Sequence, residues 1–360
     1  MRAWPPDEDE REPGAKKRSA ELAELEAAGI DLDPARPGVA GAHEHGHRPG
    51  RDDHDGPEPE EHAHPHVRSM PGEPPVVGII GAGAVGTALG VALSRAGWPV
   101  AAAASRDAGR RERIRSLVPG VRTFAEPNAI LDEVELIIVA VPDDAIARVA
   151  GGVRMYSGQA MVHTSGALGP EVLAGAMAAG TQIGTFHPLV AFADTERAVA
   201  ALDGATIAIE GDDQLAALLA EMAEAIGAQP VRLAVGAKAA YHAAAVLAAG
   251  GFVALLDAIA ALGRVVGLDE KGSLAIYGPL IEQTLDNARA LGIREALTGP
   301  IMRGDAGTLD RHLASLRAHA PDVIALYRAA AEREIALAES RGALTPDAAQ
   351  RLRRSLATAT

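Results

Sequence analysis

The 360-residue chain contains no cysteine. That rules out a disulfide framework, a thiolate nucleophile and a cysteine-ligated metal site. A basic excess is missing too: 34 Lys and Arg stand against 48 Asp and Glu, a net charge of −14. This is not the balance of a nucleic-acid binder. No apolar run of about 18 residues is free of charges or helix-breaking pairs in the way a membrane span requires. The acidic N-terminus lacks an apolar segment of the signal-peptide kind. These absences lead to the expectation of a cytoplasmic protein that acts on a small molecule, with no nucleic acid and no membrane as partner.

The charge is unevenly spread. Residues 1–75 hold 18 acidic against 9 basic side chains and 12 of the 23 prolines, with Trp4 as their one aromatic residue. Such a stretch buries too little apolar surface to offset chain entropy, so residues 1–74 are expected to form a disordered extension. Residues 16–28 are its candidate helix. Seven of the twelve histidines fall here: His43, His45, His47, His54, His62, His64 and His66. Clusters such as HEHGH and HAHPH take up divalent metals readily. The plainer reading, a solvated polar tail with no metal site, is the one adopted. Met70 stands just ahead of the first expected strand, and a start there leaves a complete domain.

The stretch that organises the chain is Val76 to Gly90, VVGIIGAGAVGTALG. It is G-x-G-x-x-G behind a strand and ahead of a helix. Gly81 permits the tight turn, Gly83 lets backbone approach a pyrophosphate, and Gly86 lets helix and strand pack closely. The helix N-terminus, with Ala82, Ala84 and Val85 beside the glycines, offers free N–H groups to an anion. The second strand, Pro99–Ala104, ends in Ser105-Arg106, where NAD enzymes place an acidic residue on the ribose 2′-hydroxyl. A hydroxyl and a guanidinium, with Arg110 and Arg111 a turn further, suit a 2′-phosphate instead, so NADP is preferred over NAD. Asp107 works against that preference.

Val121–Thr123 is a short third strand, and Val134–Val141 a buried parallel strand, followed by Pro142-Asp143-Asp144. Val141 and Pro142 thus stand at the carboxyl end of a strand, where ligands sit in open α/β sheets. The strands Ala160–His163 and Gln182–Phe186 end in His163-Thr164-Ser165-Gly166 and His187-Pro188. Both polar ends should face the glycine loop, with Thr164, Ser165 and Gly166 as substrate contacts. His187 is the stronger functional candidate of the two histidines, and a buried structural role is open to each.

Ala205–Glu210 and Pro230–Leu233 read as further strands. Beyond them Val235–Val266 reads as one Ala-rich helix interrupted by Gly250-Gly251. Leu268–Leu291 is a second helix broken or kinked near Pro279. Helical patterns follow over Thr308–Ala318, Asp322–Ser340 and Pro346–Ser355. Lys238 and His242 are four apart near the start of the Ala-rich helix, hence on one face. Asn287 and Arg303 are the other polar candidates in this half.

Taken in order, VVGIIGAGAVGTALG, VHTSGA, GTFHPLVAF, KAAYHAAAV and ALTGPIMRGD resemble the Rossmann-like proteins that carry the domain of unknown function 2520. The resemblance spans roughly residues 74–335. Those proteins are regarded as NAD(P)-dependent oxidoreductases and are distantly similar to pyrroline-5-carboxylate reductases, 3-hydroxyacid dehydrogenases and coenzyme F420-dependent NADP reductases. The 3-hydroxyacid dehydrogenases carry Lys-x-x-x-Asn on a helix opening the second domain, with the lysine as general acid and base. Lys238-x-x-x-His242 occupies the similar place, so the likeness implies proton transfer by Lys238 or His242. GTFHPL is similar to the Gly-x-His-Pro segment of prephenate dehydrogenases, which implies a place in the pocket for His187.

The expected architecture is an α/β Rossmann domain over 75–202, doubly wound on a mainly parallel sheet. A strand-containing, then mostly helical, C-terminal domain over 203–360 follows, with a homodimer formed through its long helices. The expected activity is hydride transfer between NADP(H) and a small carbonyl, imine or hydroxy acid. Two alternatives are kept: an F420-dependent NADP reductase, and a regulatory protein that binds NADP without turnover. A metal-handling role for the His-rich tail is a third.

Overall fold

A computed structural model describes residues 73–177, 181–192, 194–234 and 236–357. The expected tail, its helix, its seven histidines and Met70 lie outside the described residues.

Strands and helices alternate through most of the first half. Strand β1 (Val77–Ile80) leads through the glycine loop into α1 (Ala84–Arg95). Then come β2 (Val100–Ala104), α2 (Ala108–Leu117), β3 (Arg122–Phe124), β4 (Leu136–Val139), α3 (Asp143–Gly152), β5 (Ala160–His163) and β6 (Gln182–Pro188). Helix α4 (Thr195–Leu202), β7 (Thr206–Glu210), α5 (Asp213–Ala225) and β8 (Gln229–Arg232) follow. The strands form one sheet in the order β3-β2-β1-β4-β5-β6-β7-β8. The pairs from β3 to β6 are parallel, β6 and β7 are antiparallel, and β7 and β8 are parallel. The order reverses between β1 and β4, which is where ligands sit in doubly wound sheets. Pro230 has no N–H for a ladder and lies in β8, at the sheet edge.

The apolar runs of β1 and β4 are continuous because both faces of the sheet are covered. Val77, Ile79, Leu136 and Ile138 share one core with Leu89 and Leu93 of α1 and Leu215 and Leu219 of α5. Ile80, Ile137 and Val139 share the other with Ile130 and Ile146. Alternation at period two sends neighbours to opposite faces, as burial on both sides requires.

The sheet continues past the expected division at residue 203. Strands β7 and β8 extend the nucleotide sheet, and the chain divides into compact units after Ala245. The reason is backbone pairing: β7 satisfies the free edge of β6, with Thr185 opposite Glu210 and His187 opposite Ala208.

The helical run Lys238–Val265 contains α6 (Lys238–Val246), a five-residue π turn (Leu247–Gly251) and α7 (Phe252–Val265). Gly250-Gly251 is absorbed as the π turn and does not end the helix. This corrects the membrane-span reading, because the run has the length and mean hydropathy (2.2) of a span. Helix α8 (Glu270–Leu291) holds Pro279 internally. Helices α9 (Ala306–His319), α10 (Ile324–Ser340) and α11 (Pro346–Ala357) complete the second unit. Its core is made by Leu309, Leu313 and Leu316 of α9, Ile335 of α10 and Leu352 and Leu356 of α11. Their spacings of three and four put each set on one helix face.

Candidate functional site

The glycine loop borders a cavity of about 420 Å³ lined by Gly81, Ala82, Gly83, Ser105, Arg106, Arg110, Val141, Pro142 and Arg148, among others. Gly81 has φ +106°, and a Cβ there would strike the Ala140 carbonyl. Gly86 is buried with its Cα against the Gly81 carbonyl, so helix and loop touch there. Gly83 differs, because the nearest atom to an added Cβ is Arg110 Nη1 at 3.8 Å. Its backbone is open to the cavity. As N-cap of α1 it makes no side-chain cap bond, and the first turn carries no acidic residue. The N–H groups of that turn are therefore available to an anion. Ala84 lines a smaller neighbouring pocket with Arg110 and Arg113, and Val85 packs against the core.

At the end of β2 the charges sort themselves. Asp107 caps α2 by accepting from the Arg110 N–H at 3.0 Å, and that bond, first among its causes, lowers the Asp107 pKa. Its carboxylate is thus engaged by the helix it starts. Arg111 turns back and donates to the Ser105 and Arg106 carbonyls at 2.6 and 3.0 Å. The guanidiniums at the cavity are those of Arg106, Arg110 and, from α3, Arg148. This donor set fits a dinucleotide carrying an additional phosphate, with the glycine loop and the α1 N-terminus holding the pyrophosphate.

The strand ends of β5 and β6 meet the start of α6. The His187 ring lies 5.7 Å from that of His242 and 5.9 Å from that of Tyr241, both edge-on. Gly166 backs onto this cluster: a Cβ there would collide with His242 Nδ1 and come within 2.7 Å of His187 Nε2. His187 Nδ1, His242 Nδ1 and the Tyr241 hydroxyl are buried and have no hydrogen-bond partner among the described residues. Buried polar atoms normally have partners, so three orphans around one point mark a place for a polar ligand. Burial pushes the His187 pKa down to about 4, helped by the Lys238 charge and by His242, so its ring is neutral at pH 7.

His163 is placed otherwise. Its Nδ1 accepts from the Ser165 N–H at 3.2 Å and its Nε2 lies 3.0 Å from the Gly169 carbonyl. With Nδ1 accepting, Nε2 must carry the proton, and the ring serves as a brace for the loop after β5. Ser165 Oγ accepts from the N–H groups of Ala167 and Leu168, both at 3.1 Å, which turns that loop. Thr164 N–H bonds to the Val139 carbonyl. Gly166 is therefore the member of this trio that directly meets both imidazoles.

Lys238 is 4% exposed and is held by Glu210, Nζ to Oε2 at 2.8 Å. Sequence reasoning did not single out Glu210 or Thr185, which donates to the same oxygen at 3.0 Å. The available signal was a polar residue closing an apolar strand, TIAIE, as at His163 and His187. Asn287 and Arg303 belong to the second unit. Asn287 is exposed on α8, and Arg303 is exposed in a short turn before Asp305, which caps α9.

Two family models match the chain: a Rossmann-like domain at residues 66–188 and a domain of unknown function, DUF2520, at 205–334. No curated protein matches it. Among solved structures, protein BF3122 of Bacteroides fragilis, provisionally named an NADP oxidoreductase, is 24% identical with a TM-score of 0.61; 73% of this chain and 98% of that one are covered. A reductive aminase from Aspergillus terreus, in complex with NADPH and ethyl levulinate, is 17% identical, with a TM-score of 0.56 over 78% and 99% of the two chains. The 1-pyrroline-5-carboxylate reductase of Streptococcus pyogenes is 16% identical, with a TM-score of 0.51 over 74% and 98%. Likeness at these identities establishes the fold. The chain joins a Rossmann-like domain to a domain of unknown function 2520, the pairing that its ordered motifs resemble.

Proposed function

We propose that the protein is an NADP-dependent oxidoreductase acting on a small carbonyl, imine or hydroxy acid. The observation that carries this reading is a juxtaposition. An open glycine loop edged by Arg106, Arg110 and Arg148, and a buried, unpartnered His187–His242–Tyr241 cluster, occupy one compact unit at neighbouring strand ends. Similarity to an NADPH-bound reductive aminase and to a pyrroline-5-carboxylate reductase supports it at the level of fold.

NADPH, when bound, supplies a hydride to the substrate carbon. The chain must then deliver one proton to the oxygen or nitrogen that gains charge. His242 is the residue assigned to that proton, because its Nδ1 is without a protein partner beside Gly166. His187, kept neutral, orients the same polar atom of the substrate by hydrogen bonding. Lys238, the other candidate from the sequence, is already engaged by Glu210. On this reading the protein works in the cytoplasm as a homodimer.

Calorimetric titration with NADPH, NADH and F420, followed by assay against keto acids and cyclic imines, tests the proposal. NADPH should bind most tightly, and Arg106→Ala should weaken it about tenfold, which corresponds to about 1.4 kcal/mol. His242→Ala should lower turnover about a hundredfold or more, the usual cost of losing a proton donor. Failure of all three cofactors to bind would overturn the reading. Tight NADPH binding with no turnover on any compound would favour the regulatory alternative, and tight F420 binding the deazaflavin one.

A further inference from the structure

Lys238 opens α6 with its side chain almost wholly buried. Its ammonium meets Glu210 Oε2, and the same oxygen accepts from Thr185 Oγ1, on a residue that is fully buried. The antiparallel register of β6 and β7 sets Thr185 directly opposite Glu210. Thr185 and His187 are two apart on β6, so both side chains stand on one face of the sheet. Lys238 Nζ and Thr185 Oγ1 both donate to one Glu210 oxygen, and the Glu210 hydrogen bond and charge oppose the burial that lowers the Lys238 pKa. Release of the proton by Lys238 would leave a buried carboxylate without its cation, which is costly. That arrangement suits a charge that stays in place better than a proton that moves.

We propose that Lys238 is a fixed positive charge, clamped by the positioning residues Glu210 and Thr185 at the face of β6 that also carries His187, and not the residue that gives up a proton. That it gives up no proton in turnover rests on the reductase reading. The charge arrangement itself is a property of the free protein and is tested there.

Charges of both signs face these side chains. Around His187, the charges of Lys238, His242 and His163 disfavour protonation and that of Asp143 favours it. Around Lys238, burial is the largest cause and lowers its pKa, and the carboxylates of Glu210, Glu171 and Asp143 act against that shift. Tyr241 is neutral at working pH, since burial raises its pKa. Burial is the first cause of the low His187 pKa and the ammonium the second, so removing the ammonium should undo only part of the shift.

The test follows the His187 ring and the Lys238 side chain by NMR titration of the full-length protein, with and without substitutions. In the wild type His187 should stay neutral down to about pH 4. Lys238→Met should raise its midpoint, whereas Lys238→Arg, which keeps a charge that cannot be given up, should leave it low. Glu210→Gln should lower the Lys238 midpoint by about one pH unit or more, a tenfold change in proton affinity. Thr185→Val should act in the same direction by less. An unchanged His187 midpoint in Lys238→Met, or equal shifts in the Met and Arg variants, overturns the proposal. If Lys238→Met does not fold, the Lys238 titration in Glu210→Gln decides alone, and no shift there overturns it. In the reductase assay Lys238→Arg should keep turnover within about tenfold of the wild type, whereas loss of a proton donor costs about a hundredfold or more. Loss of turnover in Lys238→Arg with the His187 titration intact makes Lys238 a proton donor and overturns the proposal. Failure of the wild type to bind NADPH removes the reductase reading and leaves the titration result standing.

Discussion

Gly81, Gly83 and Gly86 do different work, and substitution separates them. At Gly81 the backbone is left-handed and an alanine would strike the Ala140 carbonyl; at Gly86 it would strike the Gly81 carbonyl. Either change strains the fold by about 1–3 kcal/mol or more. Gly83→Ala meets nothing closer than Arg110 Nη1 and should leave the thermal midpoint within about 2 °C of the wild type. It should nevertheless weaken NADPH about tenfold or more by holding the phosphates off the backbone. Thermal scanning and calorimetry together check this, and undiminished NADPH binding by Gly83→Ala would count against the loop as the phosphate site. The spacing of the three glycines was legible in the sequence because each answers to a local backbone need. The sorting of charges after β2 was not, because Asp107 and Arg111 are taken up by bonds to backbone that only the folded turn creates.

Polar residues closing apolar strands were readable as element ends, and they located His163, His187 and the loop after β5. Their separate tasks depend on partners that the pattern does not contain. His163 is taken by Ser165 and Gly169, while His187 is left open. Glu210 shows the limit most clearly: β7 runs against β6, so the end of one strand lies opposite Thr185, and strand direction is not written in an apolar run. The same limit moved the boundary from 203 to Ala245, since a strand that completes a sheet looks in sequence like one that starts a new domain. In the helical run, Gly250-Gly251 read as a break and is a π turn. Nothing lies within 4 Å of a Cβ added at Gly250, and its φ is not left-handed. Gly250→Ala should therefore stabilise the protein by about 0.5–1 kcal/mol through backbone entropy alone. A fall in the thermal midpoint would instead show that bare backbone at Gly250 is needed for close approach by another chain.

Among the described residues, the second unit exposes many large apolar side chains. Helices α7 and α8 approach closely where Gly263 meets Ser273, and Ala258, Ala260 and Gly263 are buried there. Large apolar side chains are exposed on both helices and on the π turn before α7: Leu247 of the π turn is 72% exposed, Leu280 59% and Ile276 56%, with Val253, Leu285 and Leu291 also open. Exposed apolar side chains in such number mark a candidate interaction surface. A lipid bilayer and a second copy are the candidates, since Lys238–Val265 has the length and hydropathy of a span. The first turn of that run decides between them. Lys238 is tied by a buried ion pair to β7, and Tyr241 and His242 pack against His187 of β6. Withdrawing this turn into lipid would break the pair and leave Glu210 uncompensated, at a cost of several kcal/mol. A second copy would cover the apolar faces without disturbing it, since isologous contacts between identical faces close at two. Sedimentation at micromolar concentration should therefore give twice the chain mass. The double substitution Leu247→Glu, Leu280→Glu should give the monomer, because like charges are then desolvated on both sides of the contact. A wild-type protein that sediments as a monomer, or that floats with lipid vesicles in a density gradient, would refute the dimer.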